Sequence, residues 1–147
     1  MVLLALLDAN VLWSAAVRDT LLLAAEAGLF RPLWTRQILE EMVRSLQARR
    51  PDLDPARLAR TMDQMLTYFP EALIEGYEAL IPTMQNHPGD RHVLAAAVRA
   101  RSSVIVTWNR ADFPLAACTP YGIDVQDPDE FLCDLWLSQP AGMAAVL

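Results

Sequence analysis

The polar residues of this chain best placed for chemistry are carboxylates at the ends of apolar segments. Asp8 closes the apolar run over residues 2–7 in the string Leu7-Asp8-Ala9-Asn10-Val11. Asp112 ends Thr107-Trp108-Asn109-Arg110-Ala111-Asp112, just after a second apolar run. Asp90 follows Pro88-Gly89, and a helix projected from it carries Val93, Leu94, Ala97 and Val98 on one side, with Asp90 near the centre of that side. Glu40 and Glu41 flank the apolar stripe of an earlier helix from opposite edges, and a period of about 3.6 residues does not choose between them. Taken singly, each aspartate reads first as a turn or helix cap, and one of the two glutamates as a solvated surface group. Gathered in one place, three or four carboxylates repel one another unless protons or a cation offset the charge, and hard oxygen ligands suit Mg²⁺ or Mn²⁺. A cation held in this way lowers the pKa of a bound water, holds a phosphate in line and stabilises charge developing on its oxygens, with one metal or two.

Other chemistries fit less well. The chain has no lysine, and all twelve basic residues are arginine. Schiff-base catalysis and a Walker-type phosphate loop are therefore excluded. An overall bias to Arg, Ala and Leu accounts for the missing lysine. Two cysteines, Cys118 and Cys133, make neither a disulfide framework nor a cysteine-rich zinc site. His87 and His92 are too few for a zinc hydrolase and share no helix face well, so both read as surface residues. A formal charge of −6 argues against a broadly basic surface for nucleic acid, but Arg44, Arg49, Arg50, Arg57 and Arg60 form a local group that could touch RNA. Among the tryptophans, which read mainly as core or interface, Trp108 lies nearest the proposed site and is the aromatic candidate for substrate contact.

The elements that must position these residues alternate. Residues 2–7 read as a strand buried on both faces, residues 11–27 as a helix closing at Gly28, and residues 30–34 as a short extended link. Thr35 caps a helix through Arg49, the turn over residues 51–55 ends it, and Pro55 opens another helix that runs to Tyr68. Residues 71–84 are ambiguous between strand and helix. A helix over residues 90–101, strands over 103–107 and 123–126, and a last helix over 127–137 complete the pattern. Such alternation predicts an α/β domain, a parallel sheet of about four to five strands with helices on both faces, joined by right-handed crossovers. Residues 1–137 make the expected domain, and residues 138–147, with Pro140 and Gly142, a weakly structured tail suited to mobility or an oligomer contact. The opening apolar run is too short for a membrane span and lacks the basic flank of a signal peptide, so the expected location is the cytoplasm, away from membranes.

In order and spacing, these segments resemble the PIN-domain nucleases, in particular the bacterial branch of VapC-like toxins. The likeness rests on Leu7-Asp8-Ala9-Asn10-Val11-Leu12, Ile38-Leu39-Glu40-Glu41-Met42, Asp90-Arg91-His92-Val93-Leu94-Ala95-Ala96-Ala97 and Val104-Ile105-Val106-Thr107-Trp108-Asn109-Arg110-Ala111-Asp112-Phe113-Pro114. Carried over by position, the resemblance implies an acidic site of Asp8, Glu41, Asp90 and Asp112, and its register favours Glu41 over Glu40. Asp8 and Asp90 would coordinate Mg²⁺ or Mn²⁺ directly, Glu41 and Asp112 directly or through water, with Asn10 and Thr107 in supporting hydrogen bonds. Many members of the family have an acidic residue where this chain has Asn109, so the fourth ligand role is divided between Asn109 and Asp112. The function implied is endonucleolytic hydrolysis of RNA by the toxin of a toxin–antitoxin pair, with an antitoxin protein and a homodimer as expected partners. An alternative of another class is a PIN-like module that binds or regulates without cutting. A third, a haloacid-dehalogenase-type phosphatase, is suggested by the opening strand and Asp-x-Asn-Val, but Asn10 stands at its second acidic position and no lysine fills its cationic role.

Overall fold

The computed structural model describes residues 2–146. The opening apolar run becomes strand β1 (Leu4–Leu7), which pairs in parallel with β2 (Arg31–Leu33) on one side and β3 (Val104–Val106) on the other. Strand β4 (Asp124–Gln126) adds to β3, also in parallel, giving the order β2-β1-β3-β4. Successive strand residues face opposite sides, yet Ala5, Leu6 and Leu7 are all buried, as are Val104, Ile105 and Val106. Both faces are therefore covered, and an α/β fold with four parallel strands among the described residues meets the expectation.

Two expected elements come out differently. Residues 30–34 supply edge strand β2 rather than a mere link. Pro32 cannot donate to a ladder and so belongs on an edge, and the strand is extended by a bridge from Trp34 to Leu73. The helix expected over residues 11–27 divides into α1 (Ala9–Leu12) and α2 (Ala15–Glu26). Asp8 starts α1 early by accepting from Ala9 N. At the break, Arg18 Nη1 donates to the Leu12 carbonyl at 2.8 Å, satisfying a group that the interruption leaves free. Gly28, at φ 81°, supplies the left-handed residue that ends α2.

Helix α3 (Arg36–Arg49) is capped by Thr35, whose hydroxyl accepts from Ile38 N at 3.0 Å, and α4 (Pro55–Tyr68) by Asp54. The ambiguous segment, residues 71–84, is neither regular strand nor α-helix. Pro70–Ala72 and Glu78–Thr83 are 3₁₀ turns, separated by Gly76 and limited by Pro82. Helix α5 (Arg91–Ala100) follows a third such turn, Pro88–Asp90, and a fourth, Arg110–Asp112, follows β3. The short α6 (Leu115–Cys118) leads into β4, and α7 (Pro128–Ser138) starts on a capping box of Asp127 and Glu130.

Residues after 138, weak in sequence signals, include a further helix, α8 (Pro140–Val146), which packs on α2 and α7. Met143 is 1% exposed, Gln139 Nε2 donates to the Leu29 carbonyl at 2.8 Å, and Gly142 lies directly on the Leu29 side chain. Met1 and Leu147, the outer ends of the expected domain and tail, lie outside the described residues. No helix among the described residues is long and apolar enough to cross a membrane.

Candidate metal centre

The parallel register brings the carboxyl ends of β1 and β3 side by side, and ligand sites in open α/β sheets form beyond such ends. Asp8 stands at the end of β1, 3% exposed. Its Oδ1 accepts from Ala9 N at 2.8 Å, and its Oδ2 accepts from Thr107 Oγ1 at 3.0 Å and Asn10 Nδ2 at 3.3 Å. Thr107, fully buried at the end of β3, is the hub. Its hydroxyl donates to Asp8 and accepts from Asn10 Nδ2 at 2.9 Å and Asn109 N at 3.1 Å, while Asn10 Oδ1 accepts from Trp108 N at 3.0 Å. This network stitches the two strand ends together and fixes the Asp8 carboxylate.

Asp90 occupies the N-cap position of α5, but its side chain makes no capping hydrogen bond. The ordinary explanation for an aspartate after Pro-Gly therefore does not hold, and the carboxylate is left for another partner. That partner is Asp112. Ligand atoms of His87, Asp90 and Asp112 all lie within 4.8 Å of one another, so the two carboxyl groups are crowded together. Backbone bonds hold the arrangement, with His87 N donating to the Asp112 carbonyl at 3.1 Å and Asp90 N to the His87 carbonyl at 2.9 Å. The buried Asn86 donates through Nδ2 to the Asp90 carbonyl at 3.0 Å.

Electrostatics expose the cost of this assembly. Burial pushes the Asp90 carboxyl up to about 7, aided by its contact with Asp112 and the charges of Asp8 and Asp112; His92 opposes the shift. The Asp8 carboxyl also moves up, chiefly through burial and with a contribution from the Glu41 charge, against the pull of its bonds to Thr107 and Ala9. A metal-free centre answers this crowding by holding a proton. A divalent cation would answer it better, and the donor set, carboxylate oxygens with one imidazole nearby, is of the kind that holds Mg²⁺ or Mn²⁺.

Glu41, on α3, faces a cleft of about 380 Å³ that it lines together with Asp8, Asn10 and Asn109, whereas Glu40 is exposed elsewhere. The choice that periodicity leaves open is thus made by packing. His92 is the principal correction to the sequence reading. It is not a surface residue but 6% exposed, with Nε2 at 3.1 Å from Glu41 Oε1, too far off line to count as a hydrogen bond. Neither ring nitrogen has a hydrogen-bond partner among the described residues. His87 is exposed as expected, yet it stands in the tightest potential ligand group. The aromatic beside the centre is Trp13 rather than Trp108. Trp13 lines the cleft, and the exposed Trp108 reaches the network only through its backbone. The signal for Trp13 was its place at the end of α1, the single short helix that Asp8 opens.

Comparison with known proteins agrees with this fold. A family model described as the PIN domain matches residues 5–111, a span that contains Asp8, Glu41 and Asp90 and stops one residue short of Asp112. A Mycobacterium tuberculosis protein named as a ribonuclease, VapC50, is 53% identical over 73 residues, which cover 49% of this chain and 43% of that relative. The matched stretch is thus less than half of that protein's length.

Proposed function

The chain belongs to the PIN-domain family, and from that premise we propose that it is a metal-dependent endoribonuclease, hydrolysing RNA phosphodiester bonds as the toxin of a toxin–antitoxin pair. The observation that carries the reading is the Asp90–Asp112 contact. Two carboxylates held together, with the charge of buried Asp8 also acting on Asp90, form a centre that concentrates negative charge. A divalent cation, when bound, supplies a water of lowered pKa and stabilises charge on phosphate oxygens.

The protein's own part is to hold the donors still. Asp8 and Asp90 are assigned to the cation directly, and Glu41 and Asp112 directly or through water. Thr107 and Asn10 orient Asp8, and Asn109 shares the support on the Asp112 side. With carboxylate oxygens as the main donors, Mg²⁺ or Mn²⁺ is the working ion. The toxin reading includes a homodimer, a protein antitoxin and a cytoplasmic site of action, with the nuclease unit of residues 1–137 completed by α8, which packs on α2 and α7.

The test is cleavage of structured and single-stranded RNA by the purified protein with Mg²⁺ or Mn²⁺, with EDTA, and with Asp8→Asn and Asp90→Asn. Cutting should require the metal. Each variant should lose more than the roughly 10–100-fold that removal of a supporting partner costs at a metal site. No cutting with either ion, and no ion binding by calorimetry, would leave a PIN-like module that does not cut.

A further inference from the structure

The cleft beside the acidic centre continues along α3. Glu41, Arg44, Ser45 and Arg49 fall three, four and eight residues apart on one helix face and all line it, so the wall changes from acidic to basic within about 5 Å, one helical turn. Opposite stands Trp13, and the Arg49 guanidinium lies 4.0 Å from the centre of its ring. Among the described residues neither Arg44 nor Arg49 has a carboxylate within ion-pair distance, whereas Arg50 next door is bound to Asp52. In a chain of net charge −6, two unpaired arginines beside a carboxylate cluster are poorly explained by stability.

We propose that this cleft is the single-stranded RNA subsite next to the scissile phosphate, with Arg44 binding the neighbouring phosphate and the Arg49–Trp13 pair stacking a base. The inference rests on the nuclease reading of the adjoining centre. Arginine matches phosphate geometry, and its planar face stacks on bases. The exposed Arg49 guanidinium, 4.0 Å from the indole centre, offers a base a cationic and an aromatic group side by side. The cleft's volume, about 380 Å³, lies at the small end of ligand pockets. That is enough for a nucleotide unit of a single strand. In a chain of net charge −6, this local basic wall offsets a surface that otherwise repels RNA.

The test is fluorescence anisotropy of a short labelled single-stranded RNA against salt, in EDTA and in Ca²⁺, for the wild type, Arg44→Ala, Arg49→Ala, Arg49→Lys and a control, Arg31→Gln. Arg31 carries the same charge on the edge strand β2, outside the α3–α4 arginine group, and lines no part of the cleft. Arg44→Ala should weaken binding and lower the slope of log affinity against log salt by about 0.7, one phosphate contact on a single strand. Arg49→Lys should keep the slope yet weaken binding about fivefold or more, since charge remains and the stacking plane is lost. Unchanged binding in the α3 variants, or equal loss in Arg31→Gln, overturns the subsite even if the wild type cuts RNA with Mn²⁺. Selective loss in the α3 variants with no cutting by the wild type would leave the subsite standing and remove the nuclease reading. Circular dichroism melts confirm that each variant is folded.

Discussion

At the residue scale the centre is defined by what its carboxylates do not do. Asp90 sits where an N-cap belongs and does not cap, so its carboxyl is committed to Asp112 and burial lifts it to about 7. The consequence for stability has a definite sign. Between the ordinary aspartate value of 3.8 and about 7, the folded metal-free protein retains a proton that the unfolded chain has released. Stability from this group is therefore complete at low pH and is lost as pH rises through that window. Asp90→Asn removes the titration. Without divalent ions it should match the wild type in thermal stability near pH 4 and exceed it at pH 8. Saturating Mn²⁺ should then reverse the order at pH 8, because ligand at about 100 times its Kd adds about 2.7 kcal/mol to the form that binds it. Melts in EDTA and in Mn²⁺ at the two pH values decide the matter. A wild-type advantage at pH 8 in EDTA would mean that the ionised Asp90 has a partner in the metal-free protein, and the centre would need no cation.

At the element scale, what was legible in the sequence depended on whether local signals and packing agreed. Strands β1 and β3 stand out as unbroken apolar runs. Helices α3 and α4 carry Thr35 and Asp54 at their caps and a proline at the start of α4, and they appear where those signals put them. Strand β2 was hidden because it is three residues long, contains Pro32 and lies on an edge. The inward position of His92 was hidden for a different reason. Helix α5 buries His92 through Ala97 without interruption, so burial reaches round to the side away from the projected Val93, Leu94 and Ala97 stripe, where His92 lies. The same logic separates Glu41 from Glu40, equal by periodicity and distinguished by what α3 packs against. Helix α8 had the weakest signal, yet its Met143 is buried in the common core. Met143→Ala should destabilise the protein by about 2–4 kcal/mol, the usual range for a long core side chain cut to a methyl. Urea unfolding with an unchanged m-value would show it. A loss below about 0.5 kcal/mol, the level of a surface change, would mean that α8 is not part of the cooperative unit.

At the scale of the whole molecule, net charge and local charge act in the same direction. A charge of −6 opposes compaction, and the carboxylates gathered at the strand ends concentrate the repulsion where α5 and the Arg110–Asp112 turn approach the sheet. Two exposed ion pairs, Arg50–Asp52 and Arg110–Glu130, work the other way, but such pairs are worth about 0–1 kcal/mol each and are themselves screened by salt. Repulsion should therefore dominate the salt response of the metal-free protein. At pH 8 in EDTA, raising NaCl from about 0.01 M to about 0.5 M shortens the screening length from roughly 30 Å to well under 10 Å, and the melting temperature should rise. In saturating Mn²⁺ the rise should shrink, since the cation has already neutralised the densest part of the field. Asp90→Asn should fall between the two. A melting temperature that drops with salt would show that the surface pairs outweigh the acidic end. A rise of equal size with and without Mn²⁺ would trace the repulsion to the rest of the surface, and the carboxylates would then have no special claim on a cation.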